Sequence, residues 1–163
     1  MKIKRNTGLP PGSIIYTGTK SEADTNIHFI KYDEHDLEDS FFRSSKEVIL
    51  QPIEEGKVSW YDIRGISDTE LISSLGKTFQ LHSLMLEDVT DVHQRPKFEE
   101  YQQGIFLSLR ALDFNSATKK MTTEQVAIYF RNNFVITFQE HESDLLEVLR
   151  KRLEAAKGKI RSK

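Results

Sequence analysis

The chain has 163 residues, 37% of them apolar, and sets 23 Lys and Arg against 25 Asp and Glu for a formal net charge of −2. That length suits a single domain over residues 1–163 with a core of its own, and the balanced charge argues against a nucleic-acid partner. Cysteine is absent, which excludes disulfides, thiolate metal sites and cysteine nucleophiles.

Residues 1–13 read as an arm, because Thr7-Gly8 and Pro10-Pro11-Gly12 block regular structure. Lys2, Lys4 and Arg5 are not followed by the apolar segment of a secretory signal. Ile14 to Thr17 predicts a short strand, and Asn26 to Tyr32 a second with both faces partly buried. Asp33 is placed to cap a helix whose apolar stripe is Leu37, Phe41 and Phe42. Val48-Ile49-Leu50 is a brief apolar run closed by Pro52 and the turn at Glu55-Gly56. Val58 to Ile63, rich in aromatic and branched residues, predicts a strand, with Trp60 in the core and Asp62 hydrogen-bonded to backbone.

Ser67 and Glu70 have the spacing of a capping box. The helix behind them carries Leu71, Ile72, Leu75 and Phe79 on one face, and Gly76 leaves room for a close neighbour. Ser83 is positioned to cap a second, short helix through Asp88, which Pro96 then stops while forcing Arg95 into extended geometry, where a nearby carboxylate is its expected partner. From Gly104 the apolar period becomes two. Ile105 to Leu109, Val126 to Phe130 and Phe134 to Phe138 predict an antiparallel meander, with Asn132-Asn133 at a tight hairpin. Leu145, Leu146, Leu149 and Leu153, with a Glu147–Lys151 pair, mark a last helix within residues 141–163. The mixed order of elements argues for an α/β fold, a mixed and partly antiparallel sheet flanked by helices in an α/β/α sandwich.

Glu87, Asp88 and Asp91 carry the candidate chemistry. They lie at the end of the short helix, where the dipole is negative and favours Lys or Arg instead. A hard cation such as Mg2+ or Ca2+ suits carboxylate and water oxygens there. Two or three carboxylates do not fill its coordination shell, so waters or another chain must contribute. A solvated acidic helix end is the competing reading. His82 and His93 bracket the helix without zinc-motif spacing, so packing or capping roles are expected of them. Enzyme readings find no Gly-rich phosphate loop and no nucleophile elbow. Glu99 and Glu100, adjacent before a strand, are expected on opposite faces.

The segment Leu84-Met85-Leu86-Glu87-Asp88-Val89, followed by Asp91-Val92-His93-Gln94-Arg95-Pro96-Lys97, resembles the signature of the CorA family of divalent-cation channels, in the cytoplasmic domain before their membrane part. The likeness runs upstream through Trp60-Tyr61-Asp62-Ile63, Gly65 and Leu75 to His82, and downstream through Phe98-Glu99-Glu100-Tyr101 into Ile105 to Arg110. Gly8-Leu9-Pro10-Pro11-Gly12 and Tyr16-Thr17-Gly18 are similar to the family's opening, while Ser83 stands where the family usually has proline.

The resemblance implies the same sandwich, with the last helix leading into a stalk and on to transmembrane helices missing from a chain that is a piece of a longer protein. It implies a non-enzymatic homopentamer of identical subunits in the inner membrane, this domain being cytoplasmic. The cargo it implies is Mg2+, with Co2+ or Ni2+ secondary. It also implies that Glu87 and Asp88 supply part of a regulatory Mg2+ site between neighbouring subunits, completed by acids further along; Asp91 is not carried by the family pattern. Alternatives are a zinc-transporting relative, a stand-alone metal-binding module, and a metal-dependent hydrolase using Glu87, Asp88 and His93.

Overall fold

Asn26–Tyr32 (β1) is at least partly buried on both faces, and Leu37–Phe42 (β2) folds back on it antiparallel with Tyr32 opposite Leu37. The computed structural model, which describes residues 8–19, 25–48 and 50–162, therefore holds a strand where a helix was expected. Asp33 explains the difference. Its carboxylate accepts from the backbone N–H of His35 and of Asp36, both at 2.8 Å, which closes a tight turn instead of capping a helix. Lys31 then meets Glu38 across the hairpin at 3.3 Å and Glu54 at 2.8 Å. Ile14 to Thr17 forms no strand, although Thr17 N–H donates to the Thr90 carbonyl at 3.1 Å. Ile49 and the first half of the expected arm lie outside the described residues.

Val58–Arg64 (β3) is an interior strand of the sheet, antiparallel to β1. Beyond it come Lys97–Tyr101 (β4), Gly104–Asn115 (β5), Lys120–Arg131 (β6) and Phe134–Gln139 (β7). The order across the seven-stranded sheet is β2-β1-β3-β7-β6-β5-β4, antiparallel everywhere except between β3 and β7. The meander is as expected, with Asn132 at positive φ in the β6–β7 turn. The edge strand β4 was not foreseen. It puts Glu99 on the half-buried face and Glu100 on the exposed one, as adjacent acids on a strand must lie.

Thr69–Phe79 (α1) and Ser83–Thr90 (α2) cover one face of the sheet. Tyr61, Ile63, Leu75, Phe79, Met85, Val89, Phe106 and Phe134 lie in the core between those layers. The cap of α1 is Asp68, whose carboxylate accepts from Glu70 N–H at 3.1 Å and Leu71 N–H at 3.0 Å; Ser67 does not fill that place. Asp68→Ala is expected to lower stability by about 1 kcal/mol, as for other capping residues, and urea denaturation checks it. On α2, His82 Nδ1 accepts from Leu84 N–H at 3.2 Å, so His82 is the cap and Ser83 the first helical residue. Gly76 does allow close approach, since a Cβ there would stand 2.3 Å from Leu86 Cδ1 of α2.

Glu147–Glu154 (α3) covers the other face, where Leu153 packs on Ile30 and Trp60. It is shorter than the expected span of 141–163. Ala156 and Gly158 take positive φ and turn the chain, and Arg161 Nε donates to the Leu153 carbonyl at 2.6 Å, satisfying an end carbonyl of the helix. The Glu147–Lys151 pair forms at 2.6 Å.

Asp62 is fully buried under α3 and is bound by side chains, where backbone partners were expected. Thr137 Oγ1 donates to it at 2.6 Å, Gln139 Nε2 at 2.7 Å and Arg150 Nη1 at 2.5 Å. Arg150 also reaches Asp144, which pairs with Arg64 at 2.9 Å.

Candidate metal centre

The last turn of α2 presents Glu87 and Asp88 side by side, with no basic residue in that turn to offset the helix dipole. Glu87 faces the opening segment, and its Oε2 accepts from Gly12 N–H at 2.6 Å. Gly12 has φ +82, and a Cβ on it would meet Ser83 at 2.8 Å, so only glycine lets the segment lie this close to α2.

Asp88 faces β4 and is buried, its side chain 9% exposed. Lys97 Nζ donates to Asp88 Oδ2 and, at 3.1 Å, to Glu99 Oε1. Burial pushes the Asp88 carboxyl above the usual aspartate range, with Lys97 opposing the shift. Burial also pulls the Lys97 ammonium down, but its bonds to Asp88 and Glu99 outweigh that and leave it above the ordinary lysine value. Tyr101 donates to Glu99 Oε2 at 2.6 Å and, with Lys97, holds the Glu99 carboxyl below its usual range.

Asp91 leaves the helix as its C-terminal cap. Its Oδ1 accepts from Thr17 Oγ1 at 2.9 Å and from His93 N–H at 3.2 Å, so it serves the loop that follows. His93 is exposed and makes that backbone contact. Arg95 is exposed and forms no ion pair among the described residues. Among the described residues no group of three or more His, Asp or Glu side chains is placed to hold a metal ion.

Three residues without a role in the sequence reading fix this helix end. Gln125 Nε2 donates to the carbonyls of Asp88 at 3.0 Å and Val89 at 3.1 Å, meeting two of the end groups a helix leaves open. Arg110 Nη2 donates to the carbonyls of Val92 and, at 3.1 Å, Gln94, which ties down the loop before β4. Lys97 carries no signal of its own in the sequence beyond its place in the motif. A strand across Lys97 to Tyr101 would have revealed it, because residues two apart share a face and Lys97 then stands beside Glu99.

Glu87 and Asp88 thus turn to different neighbours, the opening segment and β4, and each offers carboxylate oxygens of the kind that a hard divalent cation takes. No helix among the described residues is long and apolar enough to cross a membrane.

The sequence model of the CorA-like Mg2+ transporter protein family matches residues 55–163. The cobalt/magnesium transport protein CorA of Thermotoga maritima is 32% identical over 162 residues, which are 99% of this chain and 46% of that protein. The chain thus spans about half the length of this curated relative. The complete CorA magnesium transporter of Methanocaldococcus jannaschii superposes with a TM-score of 0.55 at 21% identity, over 79% of this chain and 37% of that one. The cytoplasmic domain of ZntB from Vibrio parahaemolyticus does so with 0.56 at 17% identity, over 83% and 52%. Both are likenesses of fold, a mixed sheet with helices on its faces. The match over most of the chain takes in the acidic end of α2 and its lysine, and the chain belongs to the CorA-like Mg2+ transporter family.

Proposed function

We propose that this chain is the Mg2+-sensing part of a divalent-cation channel, and that Glu87 and Asp88 supply one half of a regulatory site whose other half comes from acids of a neighbouring identical subunit. The observation that carries this is the carboxylate pair in the dipole-negative last turn of α2, held on a rigid end by Gln125 and Arg110. In the whole protein, by this reading, a homopentamer stands in the inner membrane with this domain on the cytoplasmic side, and segments beyond this chain line the pore. Mg2+ is the cargo, with Co2+ or Ni2+ secondary. The cobalt/magnesium transporter related at 32% identity supports that choice.

Bound Mg2+ supplies a positive charge at the boundary between subunits. The chain's own residues do the rest: Glu87 is oriented by Gly12, Asp88 is kept dry against β4, and without a cation the carboxylates of adjacent subunits repel one another. Feedback follows only if the closed ring binds Mg2+ more tightly than the open one. The likeness to ZntB is one of fold and does not select zinc, and a carboxylate pair favours the harder ion.

In the whole transporter, Glu87→Ala combined with Asp88→Ala is expected to raise the Mg2+ concentration that halves uptake by about 5- to 150-fold, the range of ordinary coupling energies. Uptake of Mg2+ into vesicles loaded with graded internal Mg2+ checks it. Unchanged feedback would remove both residues from the gate. Magnesium-dependent hydrolysis by the chain, lost in Asp88→Ala, would favour the hydrolase instead.

A further inference from the structure

We propose that Lys97 is a tethered cation that competes with the metal ion for Asp88, with Glu99 receiving its ammonium when the ion displaces it. This rests on the reading of Asp88 as a cation ligand. Lys97 Nζ touches both carboxylates at once, Asp88 Oδ2 and Glu99 Oε1, so a move from one to the other needs only a change of side-chain rotamer. Its backbone does not have to follow. Lys97 opens β4, paired with Ser108 of β5, and the preceding loop is pinned by Arg110 at the carbonyls of Val92 and Gln94. Held on so short a tether, the ammonium is present at a high effective concentration beside Asp88.

Its landing place is prepared. Tyr101 donates to Glu99 Oε2 at 2.6 Å, which leaves Oε1 turned to Lys97, and the Phe106 ring lies 6.0 Å beneath the ammonium. Glu99, the more exposed of the two carboxylates, gives the lysine a second place to rest and leaves the buried Asp88 available to a stronger cation. The lysine thus weakens the site and raises the concentration of Mg2+ at which the sensor responds.

The test is a Mg2+ titration of the whole transporter, in which both halves of the site are present, followed by the carboxylate 13C resonances of Asp88 and Glu99. Wild type is compared with Lys97→Met, Lys97→Gln, Lys97→Arg and Asp88→Asn, and with Lys97→Met combined with Asp88→Asn. Lys97→Met is expected to bind Mg2+ at Asp88 at least about tenfold more tightly than wild type, the size of one lost hydrogen bond between charged groups. Lys97→Gln is expected to follow it should Lys97→Met fail to fold, and Lys97→Arg to stay near wild type. In wild type, Mg2+ should also shift the Glu99 resonance as the ammonium arrives. Equal affinities for wild type and Lys97→Met, with binding lost in Asp88→Asn, overturn the competition and leave the cation site standing. Mg2+ binding that Asp88→Asn does not alter, or no Mg2+ shift at Asp88 in the Lys97→Met transporter, overturns both.

Discussion

Asp62→Ala is expected to destabilise the protein by about 3–5 kcal/mol, because it leaves Nη1 of the buried Arg150 guanidinium without its carboxylate, with only Asp144 remaining at Nη2. Arg150 is 4% exposed and Asp62 wholly buried, so water cannot replace the lost partner. The same change strips the acceptor from Thr137 Oγ1 and Gln139 Nε2. Urea denaturation followed by Trp60 fluorescence measures it locally, since Trp60 Nε1 donates to Thr137 Oγ1 at 3.0 Å in the same network. Asp62→Leu combined with Arg150→Met should recover part of the loss, as an apolar pair needs no compensation. Recovery stays incomplete because the Thr137 and Gln139 donors remain. A loss under about 1 kcal/mol for Asp62→Ala would mean that the pair behaves as a surface one.

Phe134→Ala is expected to cost about 3–5 kcal/mol on the opposite face of the sheet, through lost burial and the cavity left behind. Phe134 is fully buried at the start of β7, its ring 4.6 Å from that of Phe79 and 6.2 Å from that of Tyr61. It joins α1 to the central strands. Leu112→Ala makes the contrast, because Leu112 is 69% exposed on the β5–β6 hairpin and its loss should fall within about 0.5 kcal/mol of wild type. Denaturation midpoints for the two variants separate a packing effect from a general one. Comparable losses in both would mean that Phe134 is not the junction described.

Much of this arrangement is legible in the sequence, and what is not has physical causes. Val58 to Ile63 and the meander declare themselves because long strands with sustained period-two apolarity have few competing readings. Leu37, Phe41 and Phe42 mislead because their spacing also fits a helix, and a hairpin partner five residues upstream decides between the two. Asp33 was rightly expected to bind backbone, but the turn it makes depends on where the chain goes next. The parallel pairing of β3 with β7 has no local signal at all, since the strands meet across more than 70 residues.

The site divides in the same way. The position of Glu87 and Asp88 on a helix end was legible from the sequence, being local. Their partners were not: Gly12, Lys97 and Gln125 reach them from three other segments, Arg110 ties down the loop that follows, and no periodicity announces a hydrogen bond made across the fold. Asp62 shows the same limit, for a lone acid in an apolar strand gives no hint that an arginine 88 residues later will meet it.

The parallel seam at the middle of the sheet also bears on how the protein is made. Synthesis delivers β1, β2 and β3 early, but the outer edge of β3 has no partner until β7, from Phe134 to Gln139, has left the ribosome. Through that interval a strand built to be covered on both sides stands with an open edge, the condition that invites pairing with other chains. Nascent or truncated chains ending before β7 are therefore the ones that need a chaperone. Any expression fragment meant to stay in solution has to run past Gln139 at the least.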